Sequence, residues 1–257
     1  MKLFDLTGKT AFVSGGSRGI GKAITLGLAE AGADVAVGAR TPADIDKVVA
    51  QIAEKGVRSL AVPLDVSSIE AIPESVQRVG AELGPIDVLV NVAATTVRQP
   101  LEELEESSYD LIMNTNSKGP YFLCKAVRGS MVERGGGKII NVASLATGIG
   151  FPKITAYTAS KGALGQMTKG LAVELGPHNI QVNALAPGFI MTEINAQNWE
   201  RTDFRDWCVK RTPAGRPGIP ADMVGTAVFL AAPASDFVTG QVIYADGGVM
   251  AGSAWPL

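Results

Sequence analysis

Two side chains four positions apart, Tyr157 and Lys161, form the pair in this sequence best suited to acid–base chemistry. On a helix, residues at this spacing lie on one face, about one turn apart. A nearby ammonium stabilises a phenolate and lowers the tyrosine pKa from its usual value near ~10. Such a tyrosine could exchange a proton with a substrate alcohol or carbonyl near neutral pH. Ser144 follows an apolar segment, so its hydroxyl could lie at the carboxyl end of a strand, where α/β sheets bind ligands.

The scarcity of histidine and cysteine leaves few other acid–base candidates. The one histidine, His178, follows a Gly-Pro pair in a predicted helix-to-strand turn, a poor setting for a Ser-His-Asp triad. Cys124 and Cys208 are too few for a Cys/His zinc site, so we expect no metal site. Taken alone, the Tyr157–Lys161 pair could be a chance pair on a solvated helix. Only the motifs in the rest of the sequence can distinguish this from a catalytic pair.

Composition excludes several classes of protein. The chain has 257 residues, of which 46% are hydrophobic and 19% charged, and its net charge is −2. Without a basic run, nothing indicates binding to nucleic acid or to an anionic membrane. The first residues lack the apolar core of a signal peptide, and no apolar run approaches the roughly 18 residues of a membrane span. The two predicted free thiols fit a reducing compartment, and we expect a cytoplasmic protein.

A glycine-rich turn follows the first predicted strand, residues 10–14. Gly15, Gly19 and Gly21 lie in this turn, and a helical pattern begins directly after it and stops at Gly32. In this context glycines let the backbone approach a pyrophosphate, whose charge the helix N-terminus stabilises. The alternative is a plain β–α turn, which would not need three spaced glycines. The turn therefore predicts a dinucleotide site.

The remaining chain alternates strands with helices. Strands are predicted at residues 10–14, 34–39, 57–64, 86–90, 138–143, 180–186 and 241–244. Helices are expected at 42–54, at 67–83 and twice within 101–134, and a further helix carries Tyr157 and Lys161 and runs to about residue 175. This alternation predicts a single-domain α/β fold over residues 1–257, with a doubly wound, mainly parallel sheet of about seven strands. The irregular stretch 189–220 is predicted to be a lid over the site; the alternative is a packed surface subdomain.

At this point the sequence resembles the short-chain dehydrogenase/reductase family along essentially its whole length. The matching residues are Ser14–Gly21, Asp65 with Val66, Asn116, Ser144, Tyr157 with Lys161, Pro187 with Gly188, and Asp246–Gly248. The resemblance implies a Rossmann-type fold, hydride transfer with NAD(H) or NADP(H), a small-molecule ketone or alcohol substrate, and a homotetramer. A non-catalytic dinucleotide-binding protein is the alternative, since fold does not fix function. The four residues Asn116, Ser144, Tyr157 and Lys161 argue against it.

The resemblance also implies roles for individual residues. Tyr157 would be the catalytic acid/base, and Ser144 would hold the substrate oxygen. Lys161 would bind the nicotinamide ribose and lower the tyrosine pKa, while Asn116 would support a proton relay through water. The nicotinamide would contact Pro187, Gly188, Ile190 and Thr192, and the adenine Asp65 and Val66. The other implied cofactor-binding residues are Ser14, Gly15, Ser17, Arg18, Gly19, Ile20, Gly21, Asn91 and Ala93.

Departures from the family pattern fall at two places. Ser14 replaces the usual threonine and keeps the hydroxyl. Val92 and Ala94 stand where the family usually has asparagine and glycine. The change at Val92 removes a polar partner, and Ala94 needs a backbone conformation that tolerates a Cβ.

Cofactor choice can be predicted from the end of the second strand. Enzymes of this fold that use NAD place an acid there, which binds the ribose hydroxyls and repels a 2′-phosphate. Here Ala39 ends the strand and Arg40 follows, while Arg18 could reach the same place from the glycine turn. Guanidinium groups bind phosphate through charge-assisted hydrogen bonds. The sequence therefore predicts NADP(H) over NAD(H), although NAD(H) remains possible.

The substrate is less well defined by the sequence. Arg98, the segment Gly136–Asn141 and the segment Arg211–Arg216 resemble gluconate 5-dehydrogenase-like members of the family. Other segments are similar to tropinone-reductase-like members, and a 3-oxoacyl carrier-protein reductase is a further alternative. We expect a small polar ketone or its alcohol, such as gluconate/5-ketogluconate. The cations that could bind a carboxylate, or simply face solvent, are Arg98, Lys153, Arg201, Arg205, Lys210 and Arg211.

Overall fold

A computed structural model describes residues 2–252 of the chain as one α/β domain around a seven-stranded, fully parallel sheet. The strands are β1 (Thr10–Ser14), β2 (Asp34–Ala39), β3 (Ser59–Pro63), β4 (Val88–Asn91), β5 (Gly137–Val142), β6 (Ile180–Pro187) and β7 (Val242–Ala245). Their order is β3-β2-β1-β4-β5-β6-β7. The predicted doubly wound parallel sheet is confirmed.

Helices cover both faces of the sheet. They are α1 (Gly19–Glu30), α2 (Pro42–Ala53), α3 (Ala71–Glu82), α4 (Glu106–Met113), α5 (Gly119–Glu133), α6 (Thr155–Leu175), α7 (Ala196–Glu200), α8 (Thr202–Arg211) and α9 (Val224–Ala231). On one face α1, α2 and α9 pack into a core with β1, β2 and β4. On the other, α3, α5 and α6 pack against the same sheet. Because both faces are buried, the strands are apolar along almost their whole length.

Strand β1 shows how the sequence builds the two cores. Ala11 and Val13 point into the core beside α1, whereas Phe12 points into the core beside α3 and α5. Successive side chains of a strand point to opposite faces, so one short apolar run supplies both layers. All five residues of β1 are buried, as expected for an interior strand with helices on both faces.

The structure differs from the predicted elements in four places. The helix expected at 67–83 begins only at Ala71, because Asp65 holds the preceding turn through the amide and hydroxyl of Ser67. A π-helical segment, Asn114–Lys118, joins α4 to α5. Helix α9 was not predicted, and the stretch expected to be irregular contains α7 and α8. Only one face of α9 is buried, through Ala227, Leu230 and Ala231, but apolar residues also lie on its other faces, so the sequence shows no clear helical period.

The connectivity places a crevice at the carboxyl edge of the sheet. Strand β1 lies between β2 and β4, so the chain leaves β1 and β4 toward opposite sides. The glycine turn after Ser14 and the loop after Asn91 therefore diverge at one point. Ser144 follows β5 and Gly188 follows β6 at the same edge. The fold alone brings four of the predicted site segments together.

Two further observations concern the chain as a whole. Cys124 and Cys208 are buried free thiols, as predicted. Within residues 2–252, no helix combines the length and the apolar character needed to cross a bilayer.

Candidate active site

A cavity of about 830 Å³ occupies the carboxyl edge of the sheet. It is large enough for a dinucleotide portion and a small substrate together, since ligand sites usually span ~300–1,000 Å³. Most of the predicted site residues line it: Gly15, Ser17, Arg18, Gly19, Ile20, Gly21, Arg40, Asp65, Val66, Ala93, Ser144, Tyr157, Lys161, Pro187, Gly188, Ile190 and Thr192. Ser14, Asn91 and Asn116 are buried behind this lining instead.

Ser144 is held in place by the short 3₁₀ turn that follows it. Its Oγ accepts a hydrogen bond of 3.1 Å from the backbone N–H of Ala146. This bond orients the side chain, and the hydroxyl proton can be donated to the Tyr157 oxygen or to a bound oxygen. Ser144 therefore presents a fixed donor to an oxygen bound in the cavity.

Tyr157 and Lys161 lie on one face of α6, as their spacing predicts. The Lys161 Nζ is 5.8 Å from the centre of the Tyr157 ring and donates a 2.7 Å hydrogen bond to the Val142 carbonyl. Burial lowers the pKa of Lys161 to about 8. An ammonium held this way still has two N–H groups for other acceptors.

The predicted direction of the Tyr157 pKa shift is wrong for this structure. Burial of the phenol raises the pKa of Tyr157, and the hydrogen bond with Ser144 offsets this only in part. Desolvation disfavours the phenolate more strongly than its neighbours favour it. Tyr157 is accordingly a protonated donor at neutral pH.

Asn116 is fully buried in the π-helical segment before α5. Its Oδ1 accepts the N–H of Thr95 at 2.8 Å, and its Nδ2 donates to the Thr95 carbonyl at 2.9 Å and to Ser160 Oγ at 3.0 Å. Both amide hydrogens are used, so the side chain cannot also bind a relay water through them. In this structure Asn116 fixes the loop after β4 against α6. The water relay remains a prediction that would need main-chain atoms.

The glycine turn leaves no room for side chains where the chain crosses itself. Gly15 has φ +75°, and a Cβ there would lie 2.5 Å from the Ala93 nitrogen. A Cβ on Gly21 would lie 2.0 Å from the Gly15 carbonyl oxygen. Helix α1 begins directly after this turn without a side-chain cap, so its first N–H groups can donate hydrogen bonds to an anion. The turn thus fits the pyrophosphate of a dinucleotide.

Two exposed arginines, Arg18 and Arg40, line the same end of the cavity. Within the described residues neither forms an ion pair. The neighbouring Asp65 is engaged elsewhere, since its Oδ1 accepts the Ser67 N–H at 2.9 Å and the Ser67 hydroxyl at 2.7 Å. These hydrogen bonds, together with the charge of Arg40, outweigh burial and lower the pKa of Asp65. Both guanidinium groups therefore remain able to bind a phosphate.

The loop with the unusual Val92 and Ala94 packs closely on the glycine turn. The N–H groups of Val92 and Ala93 both donate to the Ser14 carbonyl, at 2.9 and 3.0 Å. Ala94 does not have a positive φ, so its Cβ causes no backbone strain. Val92 packs on the core beside α1 in place of a polar contact. Behind the loop, Asn91 donates to Asn141 Oδ1 at 2.9 Å, which joins β4 to β5.

Of the six cations proposed for a substrate carboxylate, the structure places only Arg98 in the cavity lining. Lys153 has φ +64° and does not line the cavity. Arg201 and Arg205 pair with Asp203 and Asp206, at 2.6 and 3.6 Å. Arg211 stacks over Trp207, and Lys210 lies outside the lining. For these residues of the lid segment the structure favours the alternative of a solvent-exposed surface, since all four are exposed and outside the cavity lining.

Sequence reasoning missed several residues of the substrate side. Phe151, Phe189, Phe204 and Trp207 line the cavity, as do Thr95, Thr96, Thr115, Ile194 and Asn198. Some of them could have been predicted from Trp199 and Trp207, the two large aromatic residues of the predicted lid. Phe151 lies in a loop without periodicity and gave no signal.

The two ends of the predicted lid are tied together. The Gly218 N–H donates to the Phe189 carbonyl at 2.8 Å, and the Met191 N–H donates to the Gly218 carbonyl at 2.9 Å. The segment between them contains α7 and α8 and lies along the cavity through Asn195, Asn198 and Trp207. The segment is therefore a long loop whose two ends are held together by backbone hydrogen bonds.

The chain matches a known protein family over most of its length. Residues 15–250 match the family model described as enoyl-(acyl carrier protein) reductase, which is a model of short-chain dehydrogenases. A gluconate 5-dehydrogenase of Gluconobacter oxydans is 41% identical over 247 residues, which cover 96% of this chain and 96% of that protein. A 5-keto-D-gluconate 5-reductase of Escherichia coli is 39% identical over 248 residues, covering 96% and 98%.

A solved structure is similar over the same extent. It is the crystal structure of a gluconate 5-dehydrogenase from Burkholderia cenocepacia in complex with NADP and tartrate. It is 37% identical to this chain, covers 98% of both chains, and superposes with a TM-score of 0.94.

Proposed function

This chain belongs to the short-chain dehydrogenase/reductase family of NAD(P)-dependent oxidoreductases, and we propose that it interconverts a small ketone and its secondary alcohol with NADP(H). The substrate we propose is a sugar acid, with gluconate/5-ketogluconate as the first pair to test. The observation that carries the proposal is that Ser144, Tyr157 and Lys161 line the same cavity as the glycine turn. The relatives named for this reaction support the choice of substrate.

The residues present fit a dinucleotide, as the glycine turn shows. When bound, the nicotinamide supplies or accepts the hydride. We assign the pyrophosphate to the turn from Gly15 to Gly21 and the start of α1, the adenine to Asp65 and Val66, and the 2′-phosphate to Arg18 and Arg40. Pro187, Gly188, Ile190 and Thr192 would hold the nicotinamide end, and Lys161 its ribose.

The chain's own residues provide the proton chemistry. The Ser144 hydroxyl, which is oriented by the hydrogen bond it accepts from the Ala146 N–H, donates its hydrogen to the substrate oxygen. Tyr157 holds the proton that this oxygen needs when a ketone is reduced, because its raised pKa keeps the phenol protonated. Asn116 keeps the Thr95 loop in position beside them. In the direction of alcohol oxidation, Tyr157 must first lose its proton.

The direct test is turnover. NADPH absorbance with a panel of ketones, and NADP⁺ reduction with a panel of polyols, should show activity with 5-ketogluconate or gluconate. Activity only with 3-oxoacyl thioesters or with tropinone-like amino ketones would reject the sugar acid. Binding of NADPH without turnover of any ketone would reject the enzyme and favour a dinucleotide-binding protein.

Arg98→Ala should raise KM for an acid substrate about tenfold, because the substrate carboxylate loses a charged hydrogen-bond donor. This is the low end of the range for such a hydrogen bond, since the Arg98 guanidinium is exposed to solvent. Steady-state kinetics with 5-ketogluconate and with an uncharged ketohexose would separate the charge from the rest of the substrate. Lys153→Ala is the matched control, since it removes one nearby positive charge outside the cavity lining. An equal effect on both ketones, or from both variants, would contradict a carboxylate site at Arg98.

We also propose a homotetramer, following the family resemblance. Large apolar side chains are exposed on α4 and α5: Leu111 is 44% exposed and Tyr121 is 49% exposed. An interface between subunits at this surface would bury them. Light scattering coupled to gel filtration should give four times the 26.7 kDa chain mass. A monomer mass at micromolar concentration would reject this proposal.

Two other expectations remain proposals. Residues 189–220 would act as the lid, with the paired Phe189–Gly218 base as its fixed end. Hydrogen exchange that slows in α7 and α8 when cofactor and substrate bind would support it, and unchanged exchange would reject it.

A cytoplasmic location is proposed from the free Cys124 and Cys208 and can be checked by cell fractionation.

A further inference from the structure

The motif Asp246–Gly248 matches the family pattern but contributes no side chain to the active-site cavity. It lies directly after β7, and we call these three residues the β7 turn. Asp246 is only 8% exposed, and each of its carboxylate oxygens has its own partner. Oδ1 accepts the Gly248 N–H at 2.8 Å, and Oδ2 accepts the Met250 N–H at 2.7 Å. The carboxylate therefore holds the turn in one shape.

Two segments of the active site are hydrogen-bonded to the β7 turn and to the strand end before it. The Gly188 N–H donates to the Ala245 carbonyl at 3.1 Å, and the Ala214 N–H donates to the Gly247 carbonyl at 3.0 Å. Gly188 begins the nicotinamide loop, which we define as Gly188–Ile190. Ala214 lies near the end of the predicted lid. The β7 turn therefore joins the nicotinamide loop to the lid.

The contacts around the β7 turn leave no free space for adjustment. A Cβ added to Gly188 would lie 2.6 Å from the Asp246 Cα. Gly247 has φ +66°, and a Cβ there would lie 2.7 Å from the Thr212 Cγ2. Segments packed this closely cannot move independently of one another. A change in the shape of the turn must therefore displace Gly188, the lid end, or both.

The nicotinamide loop has open space on two sides. It lines the active-site cavity and also a second cavity of about 460 Å³, which Asp246 lines as well. At one end of the loop, the Ile190 side chain is packed in the core beside α1. Gly188, at the other end, has no side chain to anchor it. Its position therefore depends on the hydrogen bond to β7 and on the contact with Asp246.

We propose that Asp246 is a positioning residue for hydride transfer and acts through Gly188. This role rests on the proposed function, which assigns the nicotinamide end of the cofactor to this loop. The carboxylate touches no reacting atom and fixes only the backbone of the loop. Reacting atoms must approach to about 3–3.5 Å, and a misplacement of ~1 Å can lower a rate ~10²-fold. A small shift of Gly188 is therefore enough to slow the hydride step.

Asp246→Ala removes both acceptors and should allow the turn and Gly188 to shift. We expect kcat for ketone reduction to fall about tenfold, within the range for a misplaced reactant. The primary deuterium isotope effect on kcat, measured with NADPH labelled at the transferred hydrogen, should rise because hydride transfer then limits the rate. A variant that was only less stable would have fewer active molecules but an unchanged isotope effect.

Binding measurements on the full chain test the position of the nicotinamide without turnover. The fluorescence of bound NADPH depends on the surroundings of its nicotinamide ring and should change in Asp246→Ala. The affinity for 2′-phospho-ADP-ribose, which lacks the nicotinamide, should stay at the wild-type value in calorimetry. Hydrogen exchange in α8 should become faster in the variant, because the lid end loses its fixed contact.

Two further variants make the comparison specific to this carboxylate. Asp246→Asn keeps one acceptor but sets an N–H donor against a backbone N–H, so its effects should lie between those of wild type and Asp246→Ala. It carries the same test if thermal melting shows that Asp246→Ala is unfolded. Asp5→Ala is the matched control, since Asp5 also accepts the backbone N–H two residues ahead, from Thr7 at 2.9 Å. Asp5 is exposed and lines neither cavity, so its loss should change none of these quantities.

The outcomes distinguish this role from the proposed function. If no ketone is reduced, but Asp246→Ala alters the fluorescence of bound NADPH and leaves 2′-phospho-ADP-ribose binding intact, the proposed function fails and the positioning role stands. If ketones are reduced, and the variants change neither kcat, the isotope effect nor the fluorescence, the positioning role is overturned. Equal losses of affinity for both ligands would also overturn it, since Asp246 would then support the whole fold rather than Gly188.

Discussion

Tyr157→Phe is expected to reduce turnover by at least the ~10²-fold typical of losing a general acid. The phenol is buried and its raised pKa keeps it protonated, so this hydroxyl is the proton source next to Ser144. Phenylalanine keeps the ring and therefore the packing of α6. The measurement is kcat with the substrate found in the turnover panel, alongside NADPH binding by fluorescence, which should be nearly unchanged.

Lys161→Ala is the informative companion variant. Its Nζ holds the Val142 carbonyl at 2.7 Å and faces the cavity, so its loss should weaken both turnover and cofactor binding. Circular dichroism and thermal melting should show that both variants are folded. If Tyr157→Phe keeps near-normal turnover on the true substrate, the proposed mechanism is wrong.

The pH dependence checks the same proton. Because burial raises the pKa of Tyr157, the phenol stays protonated across neutral pH. The kcat/KM for ketone reduction should therefore have no tyrosine limb between about pH 6 and 8, whereas that for alcohol oxidation, which needs the phenolate, should rise with pH. A reduction rate that falls through pH 7 would show that the Tyr157 pKa is low, as the sequence alone suggested.

Much of the fold was predictable because the sequence is locally consistent. The strands are short apolar runs bounded by glycines, and their alternation with helices leaves few topologies open. The carboxyl ends of parallel strands meet at one edge, so Gly15, Ser144 and Gly188 had to converge. Helix α6 then brought Tyr157 and Lys161 to the same cavity. The helix α9 was missed because apolar residues lie on its partly exposed faces as well as on its buried one, which hides the periodic pattern.

The parts that could not be predicted depend on tertiary surroundings. The Tyr157 pKa rises because of burial, which spacing along a helix does not reveal. The arginines in and just before α8 were candidates by charge alone, but Arg201 and Arg205 pair with neighbouring carboxylates. Phe151 packs against Phe189 from a loop, where no pattern marks the direction of a side chain.

Arg40→Ala is expected to weaken NADPH binding by about 1.5–3 kcal/mol, the range for a hydrogen bond to a charged group. The guanidinium follows β2, lines the cavity, and has no ion-pair partner among residues 2–252, so it is available for a 2′-phosphate. NADH has no such phosphate, and its binding should be nearly unaffected. Titration of each reduced cofactor by fluorescence or calorimetry measures the two affinities directly.

Two comparison variants separate this contact from the general electrostatic field. Arg40→Lys keeps the charge but loses the planar, bidentate donor, so its NADPH affinity should fall between wild type and Arg40→Ala. Arg128→Ala removes the same charge from an exposed position of α5 outside the cavity lining and should change neither affinity. Raising the salt concentration should weaken NADPH more than NADH in the wild type, because the 2′-phosphate contact is exposed and screened. Equal losses for both cofactors in Arg40→Ala, or a wild-type preference for NADH, would show that Arg40 does not select the phosphate.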